Sequence, residues 1–133
     1  MKVNIETGKI DKVRDDKNVV DGSCIDTDGN RICYTNYDTV TVLDSHYRVI
    51  FTFKDDNILS FPIGISMDQH QNMFVCNYWK HNLLFISRDG DKCEVVVSND
   101  DGLCYPKDVH YDQDNKEVLV VDLNCVARIF SVQ

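Results

Sequence analysis

Positive charge is scarce in this chain: 14 lysines and arginines stand against 22 aspartates and glutamates, a formal net charge of −8. That sign is wrong for a protein whose main task is neutralising phosphates, so a nucleic-acid partner is disfavoured. No stretch approaches the roughly 18 consecutive apolar residues of a membrane helix, and the polar start MKVNIETGKIDKVRDDK lacks the apolar core of a secretory signal. The expectation is a cytoplasmic chain without a membrane partner. Its six cysteines (Cys24, Cys33, Cys76, Cys93, Cys104, Cys125) never form C-x-x-C and never stand beside a histidine at zinc-ligand spacing. They are expected as reduced thiols filling small apolar spaces, with no metal and no cofactor bound. What is present suffices for one folded unit: 133 residues, 43% apolar and 10% aromatic, exclude wholesale disorder.

The apolar residues recur in a repeat. VDGSCIDTDGNRICYTN (20–36), PIGISMDQHQNMFVCN (62–77) and PKDVHYDQDNKEVLVVD (106–122) each open with an alternating run that ends at an aspartate, Asp26, Asp68 or Asp112. A polar turn follows in each, then an apolar run closed by Asn36, Asn77 or Asp122. The anchor aspartates lie 42 and 44 residues apart, the pairs Asp15-Asp16, Asp55-Asp56 and Asp100-Asp101 hold the same period, and the only two prolines, Pro62 and Pro106, are equivalent. Within each period, runs of β-branched and aromatic residues are bounded by Asp, Asn and Gly, which is the pattern of strands. The second unit predicts strands at 63–67, 73–76, 83–86 and 93–97. The first predicts 22–25, 32–35, 40–43 and 48–53, and the third 108–111, 118–121 and 126–130. Two further strands are expected at 2–5 and 9–13, about thirteen in all.

A repeat of 40–45 residues carrying four strands marks a β-propeller blade. The division expected is 1–16 as the last two strands of a preceding blade, 17–57 and 58–101 as whole blades, and 102–133 as an incomplete one. Six blades of this length need roughly 260 residues, so the chain is expected as a fragment with its ring not closed. Open strand edges at the two partial blades are expected to pair with another copy.

Pro62, Gly64, Ile65, Asp68 and Asn72, within PIGISMDQHQNMFVCNYWKHNLLFIS (62–87), fit the pattern of the NHL repeat, which this segment resembles. The third unit keeps Pro106, Asp112 and Asp122 with Asp108 in place of glycine; the first keeps Gly22 and Asp26 with Val20 in place of proline. The resemblance implies an all-β NHL-type propeller fragment of about three four-stranded antiparallel blades. It also implies a non-enzymatic protein–protein interaction module similar to the substrate-recognition domain of tripartite-motif ubiquitin ligases. The chain has no RING or B-box pattern, so ligase activity would reside elsewhere in a parent protein. RNA binding in post-transcriptional regulation, known for some NHL domains, is the alternative, and a six-bladed lyase or hydrolase fragment comes third.

In that family the loops between second and third strands, and those leading into first strands, open on one face where partners bind. Here those loops offer Tyr37 in the first blade and Tyr78, Trp79, Lys80 and His81 in the second, a mix of aromatic and cationic residues that binding hot spots favour. The competing reading has Trp79 folded over the blade edge. Asp15, Asp16, Asp55, Asp56, Asp100 and Asp101 are expected on the same rim, where they either close their own turns or select basic partners and repel RNA. A calcium site would need six or more converging oxygens. The anchors Asp26, Asp68 and Asp112 are expected to accept hydrogen bonds from turn N–H groups. The four histidines fall at different blade positions; only His110 sits in a first strand, with Cys24 and Ser66 as counterparts. No catalytic set is expected.

Overall fold

The computed structural model describes residues 2–3, 10–11 and 21–132, the first four by backbone alone. The strands are β1 (Lys2–Val3), β2 (Ile10–Asp11), β3 (Ile25–Thr27), β4 (Ile32–Thr35), β5 (Val40–Leu43), β6 (Val49–Phe53), β7 (Pro62–Met67), β8 (Met73–Asn77), β9 (Asn82–Ile86), β10 (Cys93–Val97), β11 (Pro106–Asp112), β12 (Glu117–Asp122) and β13 (Ala127–Ser131). Every pairing between them is antiparallel, in the sheets β1-β2, β3-β4-β5-β6, β7-β8-β9-β10 and β11-β12-β13. The fold is all-β, and the three larger sheets stand in a row that does not close, β7 touching β3 and β4 on one side and β11 on the other. β7, β8, β9, β11 and β12 extend a residue or two past their expected ends, β4, β5 and β10 match theirs, and β6 and β13 each begin one residue late. β3 departs most: it begins at Ile25 rather than at Gly22, because the backbone at Gly22 turns left-handed (φ 90°) and Cys24 N–H donates to Thr35 Oγ1 instead of to a ladder.

The apolar alternation of the strands puts the core between sheets. One seam joins Cys33, Val40 and Val42 of the first sheet to Ile65, Met67, Met73, Val75, Leu84 and Ile86 of the second. A second seam joins Ile63, Phe74, Cys76, Leu83 and Val97 to Val109, Val118 and Val120 of the third. β7 and β8 serve both seams and are buried along their whole length, so their runs read as continuously apolar. The close packing of β7 on β11 explains Gly64: a Cβ there would lie 2.7 Å from Asp108 Cα and from Lys107 O.

Innermost strands are also stitched by side chain to backbone. Ser66 Oγ accepts from Tyr111 N–H (2.9 Å) across the second seam, and Asp26 Oδ2 accepts from Met67 N–H (2.7 Å) across the first. Asp26 is therefore the counterpart of Ser66, correcting both the anchor role expected for Asp26 and the pairing of Cys24 with Ser66. The turn role in the first blade belongs to Asp28, which accepts from Asn30 N–H and Arg31 N–H. Asp68 and Asp112 close their turns as expected, on His70 and Asn72 and on Asp114 and Asn115. Asp44 does the same for the turn before β6.

Candidate partner-binding face

The turns closed by Asp28, Asp44, Asp68 and Asp112 lie at one end of the sheets. The loops at the other end begin where β4, β8 and β12 stop, and there the aromatic side chains collect. In the second blade, Asn77 ends β8 fully buried, its Oδ1 accepting from Ser60 N–H (2.7 Å) and its Nδ2 donating to Ile58 O (2.8 Å). This clamps the incoming segment 58–61 against the outgoing loop, which forms a short 3-10 turn over Tyr78–Lys80. The two then run together: Tyr78 N–H donates to Phe61 O and Trp79 N–H to Ser60 O, each at 3.2 Å. In the third blade Leu123 N–H donates to Tyr105 O (3.0 Å) in the same way.

Phe61 and Tyr105 directly precede the two prolines and both have left-handed backbone (φ 55° and 48°), as does His81 (φ 54°). Such residues cost about 1–3 kcal/mol each and persist only when their surroundings hold them. The surroundings here are rings. Phe61 lies 5.7 Å from Tyr37, 5.6 Å from Tyr78 and 6.3 Å from Trp79, nearly parallel to the last at 28°. Tyr105 lies 5.0 Å from Tyr78, 5.9 Å from Trp79 and 4.1 Å from the His81 ring. At about 0.5–1.5 kcal/mol per ring pair, contacts of this kind are of the right size to offset the strain. His81 contributes a further tie, Nδ1 accepting from Tyr105 N–H (3.0 Å), so the neutral imidazole carries its proton on Nε2.

These contacts place the expected binding residues. Tyr37 (61% exposed) and Trp79 (52% exposed) present rings to solvent on either side of Phe61, while Tyr78 is half-buried against the second seam and His81 is half-buried and engaged. Lys80 is exposed, but its ammonium donates to Asn57 O in the incoming loop. Trp79 thus both covers the loop at Phe61 and remains half open. Phe61 and Tyr105 were not singled out in the sequence. The signal that marks them is their place immediately before the equivalent prolines.

The acidic pairs split. Asp55 Oδ1 accepts from Asn57 N–H, and Asp101 Oδ2 accepts from Ser98 N–H in a capping box around Asn99–Asp101. Asp56 and Asp100 are exposed. Asp15 and Asp16 lie outside the described residues. Lys54 donates to Asp38 at 3.1 Å, and this bond with the nearby Asp56 charge raises the ammonium's pKa. Among the described residues, no three His, Cys, Asp or Glu side chains group so as to hold a metal.

The row of antiparallel sheets of three and four strands, packed on one another through apolar seams, has the form of a β-propeller. Solved structures of that class are similar to this chain: a virginiamycin B lyase from Staphylococcus aureus (16% identity, 98% of this chain and 47% of that one, TM-score 0.62) and a nidogen/laminin complex (17%, 77% and 44%, TM-score 0.62). The WD40 domain of Pan2 from Neurospora crassa is similar at 9% identity, 79% of this chain and 34% of that one, with a TM-score of 0.50. The chain spans less than half the length of each of these proteins. No family model and no curated protein matches it.

Proposed function

We propose that this chain is part of a non-enzymatic protein-interaction module whose aromatic end face docks a protein partner. The NHL-like motif residues 62–87 suggest, as the finer reading, the substrate-recognition role of the propellers in tripartite-motif ubiquitin ligases. The observation that carries the proposal is the run of rings Tyr37–Phe61–Trp79, fixed by backbone clamps beneath and open to solvent above. Large rings already held in place bury area at little entropic cost. The histidines support a binding rather than a catalytic reading: His46 and His70 sit in turns at the opposite end, His81 is occupied as an acceptor, and His110 lies apart on β11.

The test is site-specific photocrosslinking with benzoylphenylalanine at position 37 or, at the opposite end, at position 70. Protein adducts from position 37 alone, lost in Trp79→Ala, are the expected result. Adducts to RNA, or protein adducts from both ends unaffected by Trp79→Ala, would overturn it. Tyr78 is left in place in this test, because it packs on the second seam and its loss would also lower stability.

A further inference from the structure

We infer that the partner segment seated on this face is basic and carries arginine, an inference that rests on the docking reading and gives the partner its chemistry. Two independent features of the face converge on it. The first is the rings: Trp79 is half open beside the more exposed Tyr37, and an open indole or phenol face attracts a cation through its quadrupole, arginine more often than lysine. The second is charge. The described residues at this end hold the carboxylates of Asp38, Asp55, Asp56, Asp100, Asp101, Asp108 and Asp122 against the cations Lys54, Lys80, Lys107 and Arg128.

Three of the four are engaged, Arg128 lying 3.5 Å from Asp122, while Lys107 is exposed. Lys54 is bound to Asp38, and Lys80 donates to Asn57 O. Asp56, close enough to Lys54 to raise its pKa, is exposed in the loop that leads to Phe61. A guanidinium can lie flat on an indole and still point its edge N–H groups at a carboxylate, which an ammonium does less well. An acidic segment would meet the same carboxylates as repulsion, and a neutral one would forgo the attraction. Single-stranded RNA could use the rings for base stacking but would bring its phosphates to an acidic rim.

The test is a fluorescence-anisotropy titration of the full chain with a labelled peptide of alternating arginine and serine. Peptides with lysine, glutamate or norleucine at the arginine positions, and a polyuridine strand, are run beside it at near-physiological salt. Expected are saturable binding of the arginine peptide, weaker binding of the lysine peptide by several-fold, and no binding of the glutamate peptide. Trp79→Leu, which keeps apolar bulk but removes the π face, should weaken the arginine peptide on the order of tenfold. Asp56→Asn should weaken it a few-fold and flatten its salt dependence. Tyr37→Leu is the second variant should Trp79→Leu lower the folding midpoint.

Arginine-peptide binding indifferent to both ring variants would reduce the effect to bulk charge and overturn the inference. So would equal or tighter binding of the glutamate or norleucine peptide, or of polyuridine. If the arginine peptide fails while position 37 still yields Trp79-dependent protein crosslinks, the basic partner falls and the docking face stands. If the crosslinks fail as well, both fall.

Discussion

Asn77 is the side chain on which the geometry of the aromatic face depends. Its amide satisfies two backbone groups of the incoming loop, so Asn77→Ala strands Ser60 N–H and Ile58 O and should cost about 2–3 kcal/mol, read as a fall in the thermal midpoint. Thiol reactivity separates the cysteines by burial. Cys33 is held up to about 12 by burial, and Cys76 is likewise raised by burial, whereas Cys125 is exposed. A maleimide pulse on the native protein followed by mass spectrometry should label Cys125 and spare Cys33 and Cys76 until denaturant is added. Labelling of Cys33 at the rate of Cys125 would refute that order. The turn carboxylates give a pH signature. Asp112 is lowered by its bond from the Asn115 side chain and by backbone N–H groups, and Asp44 by the backbone N–H of Arg48. Carboxyls lowered on folding stabilise the fold above their unfolded pKa of about 3.9 and lose that contribution as pH falls through the folded value. The thermal midpoint should therefore hold from neutrality to about pH 5 and decline below pH 4, less steeply in Asp112→Asn.

Strands and their turns were the most legible level. The period-two apolar runs located every strand from β3 to β13 to within a few residues, because each such run faces a seam on at least one side. The error at Asp26 shows where pattern reading stops. Two aspartates two positions apart, Asp26 and Asp28, compete for one turn. Hydropathy cannot tell which of them closes it, since the choice depends on the neighbouring sheet supplying Met67 N–H. The turn between β3 and β4 is also one residue shorter than that between β7 and β8, so equal spacing pointed to the wrong carboxylate. The aromatic face was half legible. Its exposed rings stand in loops and announce themselves, whereas Phe61 and Tyr105 read as lead-ins to strands, and their roles arise from a backbone conformation that composition does not encode. A prediction belongs at this level. Asp26→Ala should speed hydrogen exchange at the Met67 amide and cost about 1.5–3 kcal/mol, while Asp28→Ala should leave that amide protected.

At the scale of the molecule, the third sheet has an open side. β13 has no strand beyond it among the described residues, where the corresponding β5 and β9 are paired with β6 and β10. Nearby, Val121 and Ile129 are exposed on a sheet whose opposite face is sealed into the second seam, and Leu123 and Val126 are exposed in the loop joining β12 to β13. Open edges beside apolar surface invite pairing between copies. We expect sedimentation velocity to show concentration-dependent self-association that Ile129→Lys reduces; a monomer at high micromolar concentration would refute this.

Because the apolar contacts lie between sheets, each sheet is fastened only to its immediate neighbours, in the manner of a stack. The second sheet is gripped from both sides, and the first and third, among the described residues, from one. Pulled from its two ends in an optical trap, the chain should therefore give way in successive rips. An outer sheet, the first or the third, peels before the second, which holds until one of its seams has already torn. Where the third sheet tears first, the rings of Tyr37, Phe61 and Trp79, which span the first seam, should stay assembled, while the ties of Tyr105 to Trp79 and His81 are lost.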